Sequence, residues 1–216
     1  MATIYFDLDG TLIDVRNRHY AAYADAIRSL GLAPLGEASY WQRRRGGASS
    51  AELTEDEAAR ARFLEGFIER IEQPSYLSMD EIIPGAIEAL DALHASYALV
   101  LVTLRRHRAA LHVQLARLGL AHRFDAVLSP GREGASKASL IRAALLPSDG
   151  SIVVGDSEAD VETARTLRLT AICVTTGVRD RTFLRALAPD LLIDSVMELP
   201  MALDARPVAA RGAASR

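Results

Sequence analysis

Apolar runs and helical stripes alternate along most of the chain. Thr3-Ile4-Tyr5-Phe6 is β-branched and aromatic and predicts a strand over 3–8. The pattern then changes. Tyr20, Tyr23, Ala24, Ile27 and Leu30 recur at helical spacing, and Gly31 stands where a helix would be capped. Pro34-Leu35-Gly36 marks a turn, a second helical piece is expected over 37–45, and a third over 54–72. The third carries Phe63, Phe67, Ile68 and Ile71 on one side, and Thr54 with Glu57 has capping-box spacing. After Pro84-Gly85 the expected elements are helix 86–95, strand 98–102 ending in Thr103, helix 106–118, strand 125–129 and helix 137–145. Strand 151–154, helix 158–167, strand 170–174, a short helix 181–187, strand 190–193 and helix 196–203 follow.

Continuous apolar strands alternating with helices indicate an α/β fold whose parallel sheet is covered on both faces, a three-layer core. The block at 15–81 contains helices and no convincing strand. It therefore reads as an α-helical cap inserted over the C-terminal strand ends. The expected division is 1–14 and 82–204 for the core and 15–81 for the cap. The Ala- and Arg-rich stretch at 205–216 reads as a disordered tail.

Composition narrows this picture a little. Half the residues are hydrophobic, ample for a buried core. A formal charge of −3 argues against nucleic acid as a partner. The one cysteine, Cys173, lies in the apolar run Ala171-Ile172-Cys173-Val174 and reads as a buried small hydrophobe, not a nucleophile. No apolar run is long enough to cross a bilayer, and the N-terminus lacks a signal-peptide pattern. The expected location is cytoplasmic by default.

Candidate chemistry gathers at strand ends. Asp7 and Asp9 would share a face if the first strand continued, and Gly10 permits a sharp change of direction. Two carboxylates so close require a shared proton or a cation, and Mg²⁺ suits hard oxygen ligands. A bare acidic turn is the other reading; an EF-hand is disfavoured because Leu12-Ile13 is apolar. Thr103 closes the second long strand, where a lone Thr is commonly an edge residue. Lys137, the only lysine of the chain, follows Gly131-Arg132-Glu133-Gly134 and the N-cap candidate Ser136. A cation at a helix start is disfavoured by the helix dipole, whereas a compact ammonium can neutralise clustered carboxylates. Asp156 ends the strand at 151–154 and Asp160 lies one helical turn on; an N-cap role explains one of these acids, not both.

Asp7-x-Asp9-Gly10-Thr11, Thr103, Lys137 and Gly155-Asp156-x-x-x-Asp160 resemble, in order and spacing, the four motifs of the haloacid dehalogenase-like superfamily. The resemblance spans 3 to about 204, and the helical insert is similar to the cap of its phosphoglycolate-phosphatase-like branch. It implies a Rossmann-like α/β core and a Mg²⁺-dependent phosphatase acting on a small phosphorylated metabolite. Asp7 would be the nucleophile, forming an aspartyl-phosphate, and Asp9 the general acid and base. Asp7, the Asp9 backbone carbonyl, Asp156 and Asp160 would hold the metal. Thr103, Lys137 and the backbone near Leu8, Asp9 and Gly10 would hold phosphoryl oxygens.

The acid at Asp9 separates this chain from the dehalogenating members, which resemble it but lack that acid. A departure is Leu104, where the branch often has Asn; its backbone N–H remains for phosphate. Arg105 follows as a candidate substrate contact, and in the cap the stretch Arg43-Arg44-Arg45-Gly46-Gly47, with Arg45 and Gly46, could grip a carboxylate or second phosphate on the leaving group. That stretch is equally readable as a solvated basic helix end. A phosphomutase using the same site, and a non-catalytic phospho-receiver, are the alternative functions. The partners expected are the small metabolite alone, with no nucleic acid or membrane, in a monomer or homodimer.

Overall fold

Six apolar strands build one parallel sheet in the order β5-β4-β1-β6-β7-β8. They are β1 (Thr3–Phe6), β4 (Ala98–Val102), β5 (Ala126–Leu128), β6 (Ile152–Gly155), β7 (Thr170–Val174) and β8 (Leu191–Ile193). The structure is a computed structural model and describes residues 1–54, 57–130, 134–145 and 150–205. Strand alternation buries both faces. Ile4 and Phe6 meet Leu99, Leu101, Ile152 and Val154 on one side, while Tyr5 meets Val100, Val102 and Val153 on the other. The helices α5 (Ala86–Leu93), α6 (Arg108–Arg117), α7 (Lys137–Ala143), α8 (Glu158–Leu167) and α9 (Arg181–Ala186) alternate with the strands, and α10 (Leu199–Asp204) follows the last of them.

The order of the sheet matters for function. From β1 the chain winds outward through β4 and β5, then returns to β6 and winds the other way. The crevice beside the β1 end is therefore the switch point where such sheets place ligands.

The helical insert leaves and re-enters through a two-stranded antiparallel ribbon, β2 (Ile13–Asp14) and β3 (Glu81–Ile82). It contains α1 (Arg16–Ser29), α2 (Glu37–Arg45), α3 (Arg60–Ile71) and α4 (Pro74–Leu77). Its hydrophobic cluster is separate from that of the sheet and is aromatic: Tyr23 and Tyr40 rings lie 4.7 Å apart, and Tyr23 and Phe63 meet edge to face at 5.8 Å. It also touches the core far from the ribbon. Arg45 donates to the Thr175 carbonyl at 2.7 Å, and Asp180 N–H donates back to the Arg45 carbonyl at 3.0 Å.

Some expectations shift in detail. The third insert helix begins at Arg60, not 54; Thr54 instead ends a 3-10 turn at Ser50–Leu53, whose capping box is Ser49 with Glu52. Ile68 is exposed, so the buried stripe of α3 runs through Phe63 and Phe67. The first strand ends at Phe6 because the Leu8 carbonyl accepts from the N–H groups of Thr11, Leu12 and Ile13 and turns the chain. The last helix is split into a 3-10 turn, Val196–Glu198, and α10, with Pro200 in its first turn. The expected tail, apart from Ala205, lies outside the described residues, as do 131–133 of the Gly-rich stretch before Lys137. Among the described residues no helix is long and apolar enough to cross a membrane.

Candidate active site

Asp7 extends the β1 ladder by one hydrogen bond, its N–H donating to the Val154 carbonyl at 2.9 Å. That contact fixes its side chain at the C-terminal mouth of β1 and β6. Asp156, directly after β6, and Asp160, on the first turn of α8, face the same point. One carboxylate oxygen from each of Asp7, Asp156 and Asp160 lies within 4.8 Å of the others, and all three residues are buried.

Lys137 holds this cluster together. Its ammonium is 2.6 Å from Asp7 Oδ1 and 2.6 Å from Asp160 Oδ1. The residue opens α7 behind the N-cap Ser136, where the helix dipole opposes a cation; the carboxylates supply the reason for it to be there. Burial works against its charge, but Asp160 and Asp7 together more than offset this and raise its pKa. Asp160 serves twice, because its other oxygen accepts from Ser157 N–H at 3.1 Å and Ser157 Oγ at 2.7 Å in the α8 capping box.

Three carboxylates and one ammonium leave two negative charges in a desolvated pocket if all are ionised. The strain is visible in the acids. Burial, then the neighbouring acids Asp160 and Asp9, push Asp7 up to about 7 despite Lys137. Burial, then Asp7 and Asp160, raise Asp156 well above the usual carboxylate range. An oxygen-only donor set with this charge fits a hard divalent cation.

Glycines allow the cluster to seat. A Cβ on Gly177 would lie 1.8 Å from Asp156 Oδ2, and one on Gly155 would lie 2.0 Å from the Asp160 carboxyl carbon. Val178, beside Gly177, donates its N–H to Asp156 Oδ2 at 2.5 Å. Gly177→Ala is expected to displace the Asp156 carboxylate and weaken divalent-cation binding by about 10–100-fold, the range for lost support of a metal ligand. Calorimetric titration with Mg²⁺ checks this.

Asp9 lines the same cavity as Asp7 but lies outside the three-acid group, the chain turning where the Leu8 carbonyl accepts from the N–H groups of Thr11, Leu12 and Ile13. Arg105 Nε and Nη2 reach Asp9 Oδ2 and Oδ1, both at 2.7 Å, and Arg18 Nη2 reaches Oδ1 at 2.9 Å. Burial opposes the charge, but Arg105 and Arg18 hold Asp9 well below the usual carboxylate range. Behind them the fully buried Asp80 accepts from Arg18 Nε at 2.9 Å and Gln114 Nε2 at 2.6 Å. Arg105, expected as a substrate contact, is thus joined to Asp9.

The remaining candidates divide. Thr103 and Leu104 line the same cavity as Asp7 and Lys137, with the Thr103 hydroxyl accepting from Arg105 N–H at 3.3 Å. The Leu8 side chain is in the core. Gly10 N–H is engaged by the Ile13 carbonyl at 2.8 Å, and its φ of +80° suits the turn. Arg45 donates to the Thr175 carbonyl and Gly46 N–H to the Gln42 carbonyl. Arg44, one residue before Arg45, lines the cavity. Cys173 is buried and its thiol is pushed up to about 12 by burial, as expected of a packing residue.

Arg18, Asp80 and Gln114 were missed as site residues, whereas Arg44 stands in the arginine stretch that the sequence singles out. Arg18 carried a signal, since it shares the buried helical stripe of Ala22 and Ala26 at i, i+4 and i+8. Arg18 and Arg44 line the cavity between sheet and insert together with Asp7, Asp9 and Lys137, and its volume is about 340 Å³.

Known proteins are similar to this chain over most of its length. A family model described as haloacid dehalogenase-like hydrolase matches residues 1–167. The phosphoglycolate phosphatase of Agrobacterium fabrum is 31% identical over 233 residues, which cover 97% of this chain and 95% of the relative. That of Synechococcus elongatus is 28% identical over 214 residues, covering 94% and 97%. Among solved structures, a haloacid dehalogenase-like family hydrolase from Streptococcus pneumoniae superposes with a TM-score of 0.81 at 21% identity, covering 94% of this chain and 98% of the other. With the acidic cluster at the switch point of a parallel sheet and a family match across most of its length, the chain belongs to the haloacid dehalogenase-like hydrolases, in their phosphoglycolate-phosphatase-like branch.

Proposed function

We propose that the protein is a Mg²⁺-dependent phosphatase of small phosphomonoesters that works through a phosphorylated Asp7. One observation carries this reading: a buried three-acid cluster held by a single lysine at the mouth of the central strand. Asp7, the Asp9 backbone carbonyl, Asp156 and Asp160 would hold the cation, which when bound offsets the charge of the phosphoryl group and the acids. Asp7 Oδ attacks phosphorus, the ester P–O bond breaks, and the leaving oxygen takes a proton from Asp9. Asp9 then deprotonates water, which attacks phosphorus; the bond to Asp7 breaks and inorganic phosphate leaves. Lys137 keeps Asp7 from repelling the incoming dianion, and Thr103 with the Leu104 N–H holds phosphoryl oxygens.

The Asp9 geometry bears on the order of events. Paired with Arg105 and Arg18, it is an acceptor on both oxygens, the form suited to activating water. Donating a proton in the first step requires it to leave those partners. We propose that residues 15–81 act as a cap, hinged near 13–15 and 82–85, whose closure accompanies that change and excludes water.

The relatives' names make 2-phosphoglycolate the first ester to try, and a cavity of about 340 Å³ suits a small leaving group. The test is inorganic phosphate release from a panel of small phosphomonoesters with Mg²⁺ and with EDTA. Turnover that EDTA abolishes and Mg²⁺ restores supports the reading. An isomerised ester without phosphate release, a stably phosphorylated protein without turnover, or turnover indifferent to EDTA would each overturn it.

A further inference from the structure

Two arginines and two acids close a ring at the root of the insert. Arg18 Nη2 is 2.9 Å from Asp9 Oδ1, and its Nε is 2.9 Å from Asp80 Oδ1. Arg105 Nη2 is 2.7 Å from Asp9 Oδ1 and 3.5 Å from Asp80 Oδ2. The two acids differ in access. The Asp9 side chain is 24% exposed and lines the cavity, whereas Asp80 is wholly buried just before β3. Helix α6 holds Asp80 in place. Gln114 Nε2 donates to its Oδ2 at 2.6 Å and Arg117 Nη2 to its carbonyl at 2.9 Å. Burial raises the Asp80 carboxyl, Arg18 opposes this, Asp9 adds to it and Arg105 opposes it again.

In the mechanism above Asp9 must leave both arginines before it protonates the leaving oxygen. A buried arginine that loses its acid is left as an uncompensated charge. Arg18 is 1% exposed and Arg105 5%, so water is poorly placed to stand in for the carboxylate. Among the described residues, Asp80 is the other acid within salt-bridge distance of these two arginines. Glu72 acts on Arg105 through space, but its carboxylate accepts from the N–H groups of Arg106 and His107.

We infer that Asp80 is a positioning residue for leaving-group protonation: it keeps Arg18 and Arg105 paired while Asp9 turns from them to the leaving oxygen. Asp80 touches no reacting atom and acts through the two arginines. In Asp80→Asn protein, Asp9 becomes the one ionised acceptor shared by two buried cations and stays bound to them. Bound there it can still activate water, so the first half of the reaction suffers more than the second. The inference rests on the phosphatase reading and adds a residue to its machinery.

The test compares phenyl phosphate with p-nitrophenyl phosphate. The two esters share a ring and a phosphate, but p-nitrophenolate leaves readily without a proton and phenolate does not. The readout is the ratio of their kcat/KM values, phenyl over p-nitrophenyl. Asp80→Asn is expected to lower that ratio at least about fivefold, a part of the roughly 10²–10⁴-fold that general acid catalysis contributes. Adding Arg18→Gln returns the ring to one acid and one arginine and should restore much of the ratio. In Asp9→Asn protein, Asp80→Asn should leave the ratio where it is, because Asp80 acts through Asp9. A ratio that Asp80→Asn does not lower in the parent background, whether both esters slow equally or neither does, identifies Asp80 as structural and overturns the inference. A drop that persists undiminished in Asp9→Asn protein overturns it too. Where Asp80→Asn fails to fold, Gln114→Leu decides. It removes only the neutral group that fixes Asp80, and a ratio equal to the parent's overturns the inference. EDTA-sensitive turnover with a ratio that none of these variants moves would sink this inference and leave the phosphatase reading intact. A parent protein without EDTA-sensitive release from any ester would sink both.

Discussion

Replacing Asp7 with Asn is expected to lower phosphate release by at least about 10⁴-fold while the protein stays folded, the scale seen when a nucleophile is removed from an active site. The two halves of that expectation have separate causes. Asn has nearly the shape of Asp but cannot form the acyl phosphate, so chemistry stops. The fold has little reason to suffer, because Lys137 keeps Asp160 at 2.6 Å and the repulsion among three buried acids is reduced to that between two. Phosphate release and thermal unfolding measured on the same preparation separate these effects. A variant that retains a tenth of parental turnover would remove Asp7 from the role of nucleophile.

Lys137→Met is expected to damage both stability and turnover. The lysine is the sole counter-charge within salt-bridge distance of the three-acid cluster among the described residues. Removing one partner of a buried ion pair leaves an uncompensated charge and costs about 3–5 kcal/mol. Turnover should fall by about 10²–10³-fold, as it does when a charge-stabilising donor is lost. The variant should also gain more thermal stability from added Mg²⁺ than the parent protein does, because its cluster carries one more net negative charge and binding to the folded state raises stability. Arginine is a poor replacement, since a planar fork cannot sit 2.6 Å from two carboxylates as a compact ammonium does. A Met variant as stable and as active as the parent would contradict the whole electrostatic account of the site.

Much of the architecture was legible in the chain, for identifiable reasons. Strands such as Ala98–Val102 and Thr170–Val174 are continuous apolar runs because both of their faces are buried, and that pattern survives without any tertiary information. Asp156 and Asp160 were readable as neighbours because one directly follows a strand and the other falls on the first turn of the helix after it. The strand-end rule pointed to Thr103 and Lys137 as well.

What was not legible depended on contacts between distant segments. Asp80 is wholly buried beside Gln114 and Arg18, which lie 34 and 62 residues away, and no local periodicity reports that. Asp9 lies outside the three-acid group, where three N–H groups converge on the Leu8 carbonyl in a turn that the presence of Gly10 permits but does not specify. Among the three consecutive arginines of α2, composition could not choose. The helix phase buries Arg44 against the cavity and leaves Arg45 to tie the insert to the Thr175 carbonyl. Gly177 had no signal either, since its role is to leave room for a carboxylate from another loop.

The central claim is that phosphate passes through Asp7. Its most direct test is to mix the enzyme with its best ester and Mg²⁺, quench in acid within the first turnover, digest, and weigh the peptide containing Asp7 by mass spectrometry. The account predicts that this peptide gains the mass of one phosphoryl group early, loses it as the ester is exhausted, and never gains it in Asp7→Asn protein. Phosphate release at full rate, with no phosphoryl group on that peptide at any quench time, would contradict it.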